Sequence, residues 1–246
     1  MDFTFYADLV GISALYAASP SHAYEKLNEY YNTVFHGLAA YYNGVNTRKV
    51  EMYSDSLVVS GDNPELFIST MAPVYMTLLS KGLLLRGGMV LGHLNFDVRI
   101  TTQNFQKSLP DSDVLARCVV LERKVKGARF LVSTDIAEPF FDAIRNWLTL
   151  QGYATDRRRG VSELLLQRSL VPLTDGTAYE LLFPVLALSE AEIIKKRVDE
   201  MTYQIKQLPR DISTHYSETK TLLLHSKERL EDHNAQPEGR LYGGNA

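Results

Sequence analysis

Apolar residues crowd the start of the chain from Phe3 to Val10, which predicts a buried strand, and Gly11 lets the chain turn. From Pro20 to Tyr42 the spacing becomes helical, with Tyr24, Leu27, Tyr31, Val34 and Leu38 on one face and Gly44 as the stop. Lys49 to Ser60 is rich in valine and aromatic residues and is broken at Ser54, Asp55 and Ser56, the pattern of two strands joined by a tight turn. Pro64 to Lys81 predicts a second amphipathic helix, with Phe67, Met71, Tyr75 and Leu78 inward, Pro73 able to bend it and Gly82 ending it. Leu83 to His93 reads as a strand, Val114 to Val125 as a short helix and Arg129 to Ser133 as a strand.

The order is β-α-β-β-α-β followed by a helix and a strand. It predicts an α+β, ferredoxin-like fold, with helices on one face of a mostly antiparallel sheet. Beyond it, Pro139 to Gln151 predicts a helix, Asp156 to Gly160 a loop, and Tyr179 to Leu188 a last strand or buried segment. Ser189 and Glu192 have capping-box spacing. Ile194, Val198, Met201, Ile205 and Leu208 then form a narrow apolar seam suited to a partner helix; Pro209 stops it, and Asp211 to His233 is a weaker helix. The expected organisation is a domain over residues 1–188, a C-terminal helical extension over 189–235 and a flexible polar tail over 236–246.

Composition narrows the function. Across 246 residues, 45% are hydrophobic and 22% charged, and the net charge of -3 offers no broad basic surface for nucleic acid or anionic membrane. A phosphate-binding site must therefore be local. Cys118 is the only cysteine, so neither an internal disulfide nor a multi-thiolate zinc site forms, and a reducing cytoplasm is the expected setting. Met1 to Val10 does not read as a signal peptide, and no apolar run approaches the roughly 20 residues of a membrane span. The six histidines show no metal-ligand spacing on one helix face.

Two acids carry the candidate chemistry. Asp8 sits near the end of an apolar strand, before a glycine turn and a helix, where turn N–H groups can face a phosphate. Asp55 lies at the tip of the predicted hairpin. In a split β-α-β sheet the first strand is central and the hairpin lies beside it, which brings both carboxylates to one edge. With no Lys or Arg in either motif, a shared divalent cation relieves their repulsion, and all-oxygen ligands suit Mg²⁺ or Mn²⁺. The ordinary readings are a helix cap for Asp8 and turn chemistry for Asp55.

The Asp8-Leu9-Val10-Gly11 turn, the Glu51 to Asp55 hairpin and the strand Leu85 to Gly92 with its Arg86-Gly87-Gly88 resemble class III nucleotide cyclase domains. The serine before Asp55, and the segment Val114 to Glu122, resemble one branch of that family, the pyrimidine cyclases of Pycsar anti-phage systems. The resemblance covers residues 1–185 in pieces. It implies that Asp8 and Asp55 each bind two divalent ions, Mn²⁺ or Mg²⁺, with the Leu9 carbonyl as a further ligand. Amides of Val10, Gly11, Ile12 and Ser13 would hold a nucleoside triphosphate, UTP ahead of CTP, and the 3′ hydroxyl would attack the α-phosphate and release diphosphate. It also implies a homodimer with active sites at the subunit interface and a separate effector that reads the cyclic nucleotide.

The chain departs from the family pattern in one helix. Purine cyclases carry an asparagine and an arginine one turn apart there; Asp113 and Arg117 have the spacing, with aspartate in place of asparagine. Matching Leu121-Glu122 to the family shifts that register and unseats Arg117. Arg117 is therefore a candidate for stabilising the transferring phosphate, or an exposed helix arginine. Glu51 falls where guanylate cyclases carry glutamate, which keeps a purine substrate open. Tyr53 either narrows a base pocket or packs in the core, and Arg86 reaches a phosphate, a partner subunit or a surface acid. The alternatives are a guanylate or adenylate cyclase, or an inactive domain that binds a nucleotide or partner.

Overall fold

The N-terminal apolar run forms β1 (Phe3–Leu9), and it lies inside the main sheet rather than at its edge. The computed structural model describes residues 1–97, 101–102, 105–106, 109–140, 168–187, 191–208 and 210–235. On one side β1 pairs antiparallel with β3 (Ser56–Gly61), itself paired with the edge strand β2 (Lys49–Tyr53). On the other side β1 pairs antiparallel with β4 (Leu85–Leu91). Short ladders follow, β5 (Phe96–Asp97) with β8 (Leu109–Pro110) and β6 (Thr101–Thr102) with β7 (Phe105–Gln106). β9 (Phe130–Ser133) runs parallel to β4, and β11 (Ala178–Leu181) and β10 (Leu170–Pro172) complete the sheet. Among the described residues the order is β10-β11-β9-β4-β1-β3-β2, an α+β architecture that is antiparallel except at β4–β9.

Side-chain alternation along β1 separates two packed faces. Phe3, Phe5, Ala7 and Leu9 face α2 (Pro20–Tyr42) and α3 (Pro64–Ser80) in the larger core. Phe5 lies 5.0 Å from Phe67 and stacks at 5.3 Å on Phe130, and Tyr75 donates to the Ala128 carbonyl at 2.6 Å. Helix α3 starts at Asn63, whose side chain accepts from the Leu66 N–H at 3.0 Å, with Pro64 in the first turn, where its missing N–H costs nothing. The opposite face is covered by α4 (Val114–Glu122): Val114, Cys118 and Leu121 pack on Val58, Val90 and Leu131. Helices thus cover both faces, not one. Gly88 permits this, because a Cβ there would stand 2.7 Å from the Cys118 carbonyl oxygen.

Other expectations shift in detail. Helix α2 buries Ala23, Leu27, Tyr30, Val34, Leu38 and Tyr41, while Tyr24 is 69% exposed. An extra helix, α1 (Ile12–Ala18), directly precedes α2. The segment after Tyr179 is the end of β11 and a short helix, α5 (Phe183–Leu186), and residues 134–140 are helical. The apolar seam lies on α6 (Ala191–Ile205), with Ile194, Val198 and Met201 buried within the chain's own core alongside Leu222, Leu223 and Leu230 of α7 (Arg210–Ala235). The helix that meets the seam is α7 of the same chain. Most of the predicted 139–151 helix, the Asp156–Gly160 loop, Ser189 and the 236–246 tail lie outside the described residues.

Candidate active site

Asp8 is the last outward member of the Thr4, Tyr6, Asp8 set on β1, on the face that α4 covers. In register it stands between Ser56 of β3 and Arg86 of β4. The next residue ties the hairpin to it: the Leu9 N–H donates to the Asp55 carbonyl at 3.0 Å. The turn itself is tight, with Ser54 in the left-handed region at φ 54°. The backbones of Asp8 and Asp55 therefore lie at one end of adjacent strands, and the charge of Asp55 is felt at Asp8.

The surroundings of Asp8 differ from the sequence reading in one respect. Arg86 lies across from it, its Nη2 at 3.7 Å from Asp8 Oδ1, so the acid pair is not without a cation. That distance is beyond hydrogen bonding; Asp8 Oδ1 is shielded from solvent and accepts from no N–H, while the Glu122 carboxyl lies within hydrogen-bond reach of the Asp8 carboxyl. Arg86 instead directs its Nε to Glu122 at the end of α4, a carboxyl that is 2% exposed. Burial holds the Asp8 carboxyl above the usual carboxylate range, against the pull of Arg86. Burial, with the Asp8 charge next, pushes Glu122 up to about 7. Tyr6 closes the group, its hydroxyl 3.2 Å from Ser56 Oγ.

Neither Glu122 nor Tyr6 stands out in the sequence as a site residue. The available signal for Glu122 was helical spacing, which sets it one turn beyond Cys118 on the buried side of α4; for Tyr6 it was alternation with Asp8. Glu51 and Tyr53 lie on the edge strand, on the same face as Asp8. Tyr53 is 57% exposed rather than core-packed, and its hydroxyl donates to Glu51, which also pairs with Lys49 at 3.1 Å. Gly11, with φ 87°, opens α1, whose first-turn N–H groups at Ile12 and Ser13 have no partner within the helix. The Val10 N–H is engaged, donating to the Leu84 carbonyl at 2.8 Å.

Arg117 falls elsewhere. It donates to the Leu91 carbonyl at 2.8 Å and to Asp113 at 3.2 Å. Leu91 pairs with Phe3, five residues from Asp8 along β1, about 17 Å at the usual strand rise. Within one chain Arg117 does not join the acid pair.

The acid pair fits a divalent cation on the chemistry of its donors. Asp8 offers a buried oxygen that accepts from no N–H, and the hairpin brings Asp55 to the same end of the sheet. Among the described residues no group of three or more His, Cys, Asp or Glu forms a larger metal cluster, and no helix is long and apolar enough to cross a membrane.

No protein-family model matches the chain, and neither does any curated protein. Solved structures are similar to it in part. The adenylyl cyclase CyaB from P. aeruginosa is 13% identical over 57% of this chain and 80% of its own, with a TM-score of 0.44. The guanylyl cyclase Cya2 is 13% identical over 74% of this chain and 91% of its own, with a TM-score of 0.45. The guanylate cyclase domain of RhGC from Catenaria anguillulae is 11% identical over 54% of this chain and 77% of its own, with a TM-score of 0.42. What the chain's own architecture establishes is the α+β class, with Asp8, Asp55, Arg86 and Glu122 gathered at one end of its central strands.

Proposed function

We propose that this protein is a nucleotide cyclase in which Asp8 and Asp55 hold divalent ions, Mn²⁺ or Mg²⁺, against a nucleoside triphosphate. The observation that carries the proposal is the solvent-shielded Asp8 Oδ1 at a strand end where the Leu9 N–H holds the backbone of Asp55 and the charge of Asp55 reaches Asp8. The Leu9 carbonyl follows Asp8 at the same strand end. Bound divalent ions supply charge neutralisation for the triphosphate and lower the pKa of the attacking 3′ hydroxyl. The chain's own part is positional: the N–H groups of Gly11, Ile12 and Ser13 face the phosphates, and β1 and the hairpin fix the spacing of the two acids. The 3′ oxygen bonds to the α-phosphorus as the bond to the diphosphate breaks, and the hydroxyl proton passes to solvent water.

UTP, then CTP, is the proposed substrate, and the cyclic product serves as a second messenger in anti-phage defence, read by a separate effector. This rests on the resemblance of the Ser54-Asp55 hairpin and the Val114–Glu122 segment to pyrimidine cyclases. One observation weighs against a guanine-reading Glu51: its carboxylate is already engaged by Lys49 and by the Tyr53 hydroxyl. Arg117 serves a site only if a second copy carries it there, which makes a homodimer with shared sites part of the proposal. Incubation of the purified protein with each of UTP, CTP, GTP and ATP and Mn²⁺, followed by mass spectrometry, tests it. Cyclic UMP as the main product is expected. A purine cyclic nucleotide as the main product would overturn the substrate assignment, and no cyclic product from any triphosphate would overturn the function.

A further inference from the structure

A cation site built on a buried carboxylate has an internal competitor whenever an arginine lies within reach. Arg86 is that competitor here. It is opposite Asp8 in the β1–β4 register, its side chain is 17% exposed, and its Nη2 stops 3.7 Å from Asp8 Oδ1. Closing that gap by under 1 Å would make a charge-assisted hydrogen bond and occupy Asp8 Oδ1, which accepts from no N–H, with protein instead of metal. The guanidinium is held back from the other side. Its Nε is engaged by Glu122, and its Nη1 reaches the Val125 carbonyl at 3.5 Å, just beyond the end of α4. Glu122 has little freedom to follow, since it ends a helix that Gly88 seats directly on the sheet.

We infer that Glu122 is a positioning residue that captures Arg86 and so keeps Asp8 available to a divalent cation. The inference rests on the reading of Asp8 and Asp55 as metal ligands. It assigns Arg86 a place in the site other than contact with a phosphate. Glu122 lies against both Arg86 and the Asp8 carboxyl, and the effect inferred here is the one it exerts through Arg86. Removing the capture leaves Asp8 as the one carboxylate within reach of Arg86, and the arginine then competes with the cation for Oδ1.

The test is Mn²⁺ binding, read by electron paramagnetic resonance of free Mn²⁺ without nucleotide, on the full chain and four variants. Asp8→Asn is the control for the underlying reading: if wild type and Asp8→Asn bind Mn²⁺ alike, the metal site itself is wrong. Given a wild-type site, Glu122→Gln is expected to weaken Mn²⁺ binding about tenfold, the effect of one close opposite charge. The double variant Glu122→Gln with Arg86→Gln is expected to return within about threefold of wild type, because the competitor is gone. A purely structural role for Glu122 would not be rescued this way. Arg86→Gln alone is expected to bind Mn²⁺ at least as tightly as wild type, and it serves if Glu122→Gln does not fold. Unchanged affinity in Glu122→Gln, a double variant as weak as Glu122→Gln, or weaker binding in Arg86→Gln alone would each overturn the inference.

Discussion

Adding one methyl group at Gly88 tests how α4 is seated and therefore how Glu122 reaches the site. A Cβ at Gly88 would meet the Cys118 carbonyl oxygen at 2.7 Å, the Glu122 nitrogen at 3.0 Å and the Leu121 Cβ at 3.2 Å. Two of these are backbone atoms of α4, so no side-chain rotation relieves the contact, and the helix must rise by roughly half an ångström or more. Lifting it opens a gap under Val114, Cys118 and Leu121, which now rest on Val90 and Leu131. Overpacking of this kind costs about 1–3 kcal/mol. At about 2–4 °C per kcal/mol for a chain of this size, Gly88→Ala should lower Tm by about 2–12 °C. Differential scanning calorimetry reads this directly. Gly44→Ala is the comparison, since Gly44 has open space around it and only its φ of 75° to resist a side chain, worth about 1–2 kcal/mol. The same lift should weaken Mn²⁺ binding in Gly88→Ala and leave it unchanged in Gly44→Ala. A Gly88→Ala protein that melts within about 1 °C of wild type would refute the packing of α4 described above.

Arg129 joins β9 to the buried Glu180 and the more exposed Glu218, with Nη2 at 2.8 Å from Glu180 and Nη1 at 3.2 Å from Glu218. Arg129→Ala should cost about 3–5 kcal/mol in urea denaturation by stranding Glu180, whereas Glu218→Ala should cost less than about 1 kcal/mol. Tyr75→Phe removes the donor to the Ala128 carbonyl and should cost about 1 kcal/mol in the same assay. Burial pushes the Cys118 thiol up to about 12 from its ordinary 9.0. The folded chain keeps a proton that the unfolded chain loses above pH 9, so the stability linked to this thiol is complete below that pH and declines as pH rises towards 12. Iodoacetamide at pH 8 should accordingly leave Cys118 unmodified in native protein and alkylate it in urea, as followed by intact mass.

The strands and both long helices were legible in the sequence because period 2 and period 3.6 are local properties. What slipped was whatever depends on a distant partner. In α2 the sequence face shares Leu27, Val34 and Leu38 with the buried one, but small Ala23 lies inside and Tyr24 points out. Apolar character alone does not rank a tyrosine against an alanine on neighbouring positions. The seam of Ile194, Val198 and Met201 was visible as a seam, while its occupant, α7 of the same chain, was not. Placement of α4 on the second face depended on Gly88, whose meaning appears only when helix and sheet are packed. The placement of Asp8 and Asp55 at one end of adjacent strands was readable because each sits in a local motif and the topology pairs those motifs. The pairing of Glu122 with Arg86 was not, because the two lie 36 positions apart in the chain. Arg117 shows the converse: its spacing from Asp113 is local, but its distance from Asp8 within one chain is a property of the sheet.

The claim on which the rest depends is that Asp8 and Asp55 share a divalent cation. Crystals soaked in MnCl₂, with diffraction recorded at the manganese absorption edge, address it without any assumption about substrate. An anomalous peak within coordination distance of both Asp8 and Asp55 carboxylates, absent from Asp8→Asn crystals, is the predicted result. A map with no peak between those side chains, or with manganese bound only elsewhere on the surface, would contradict it.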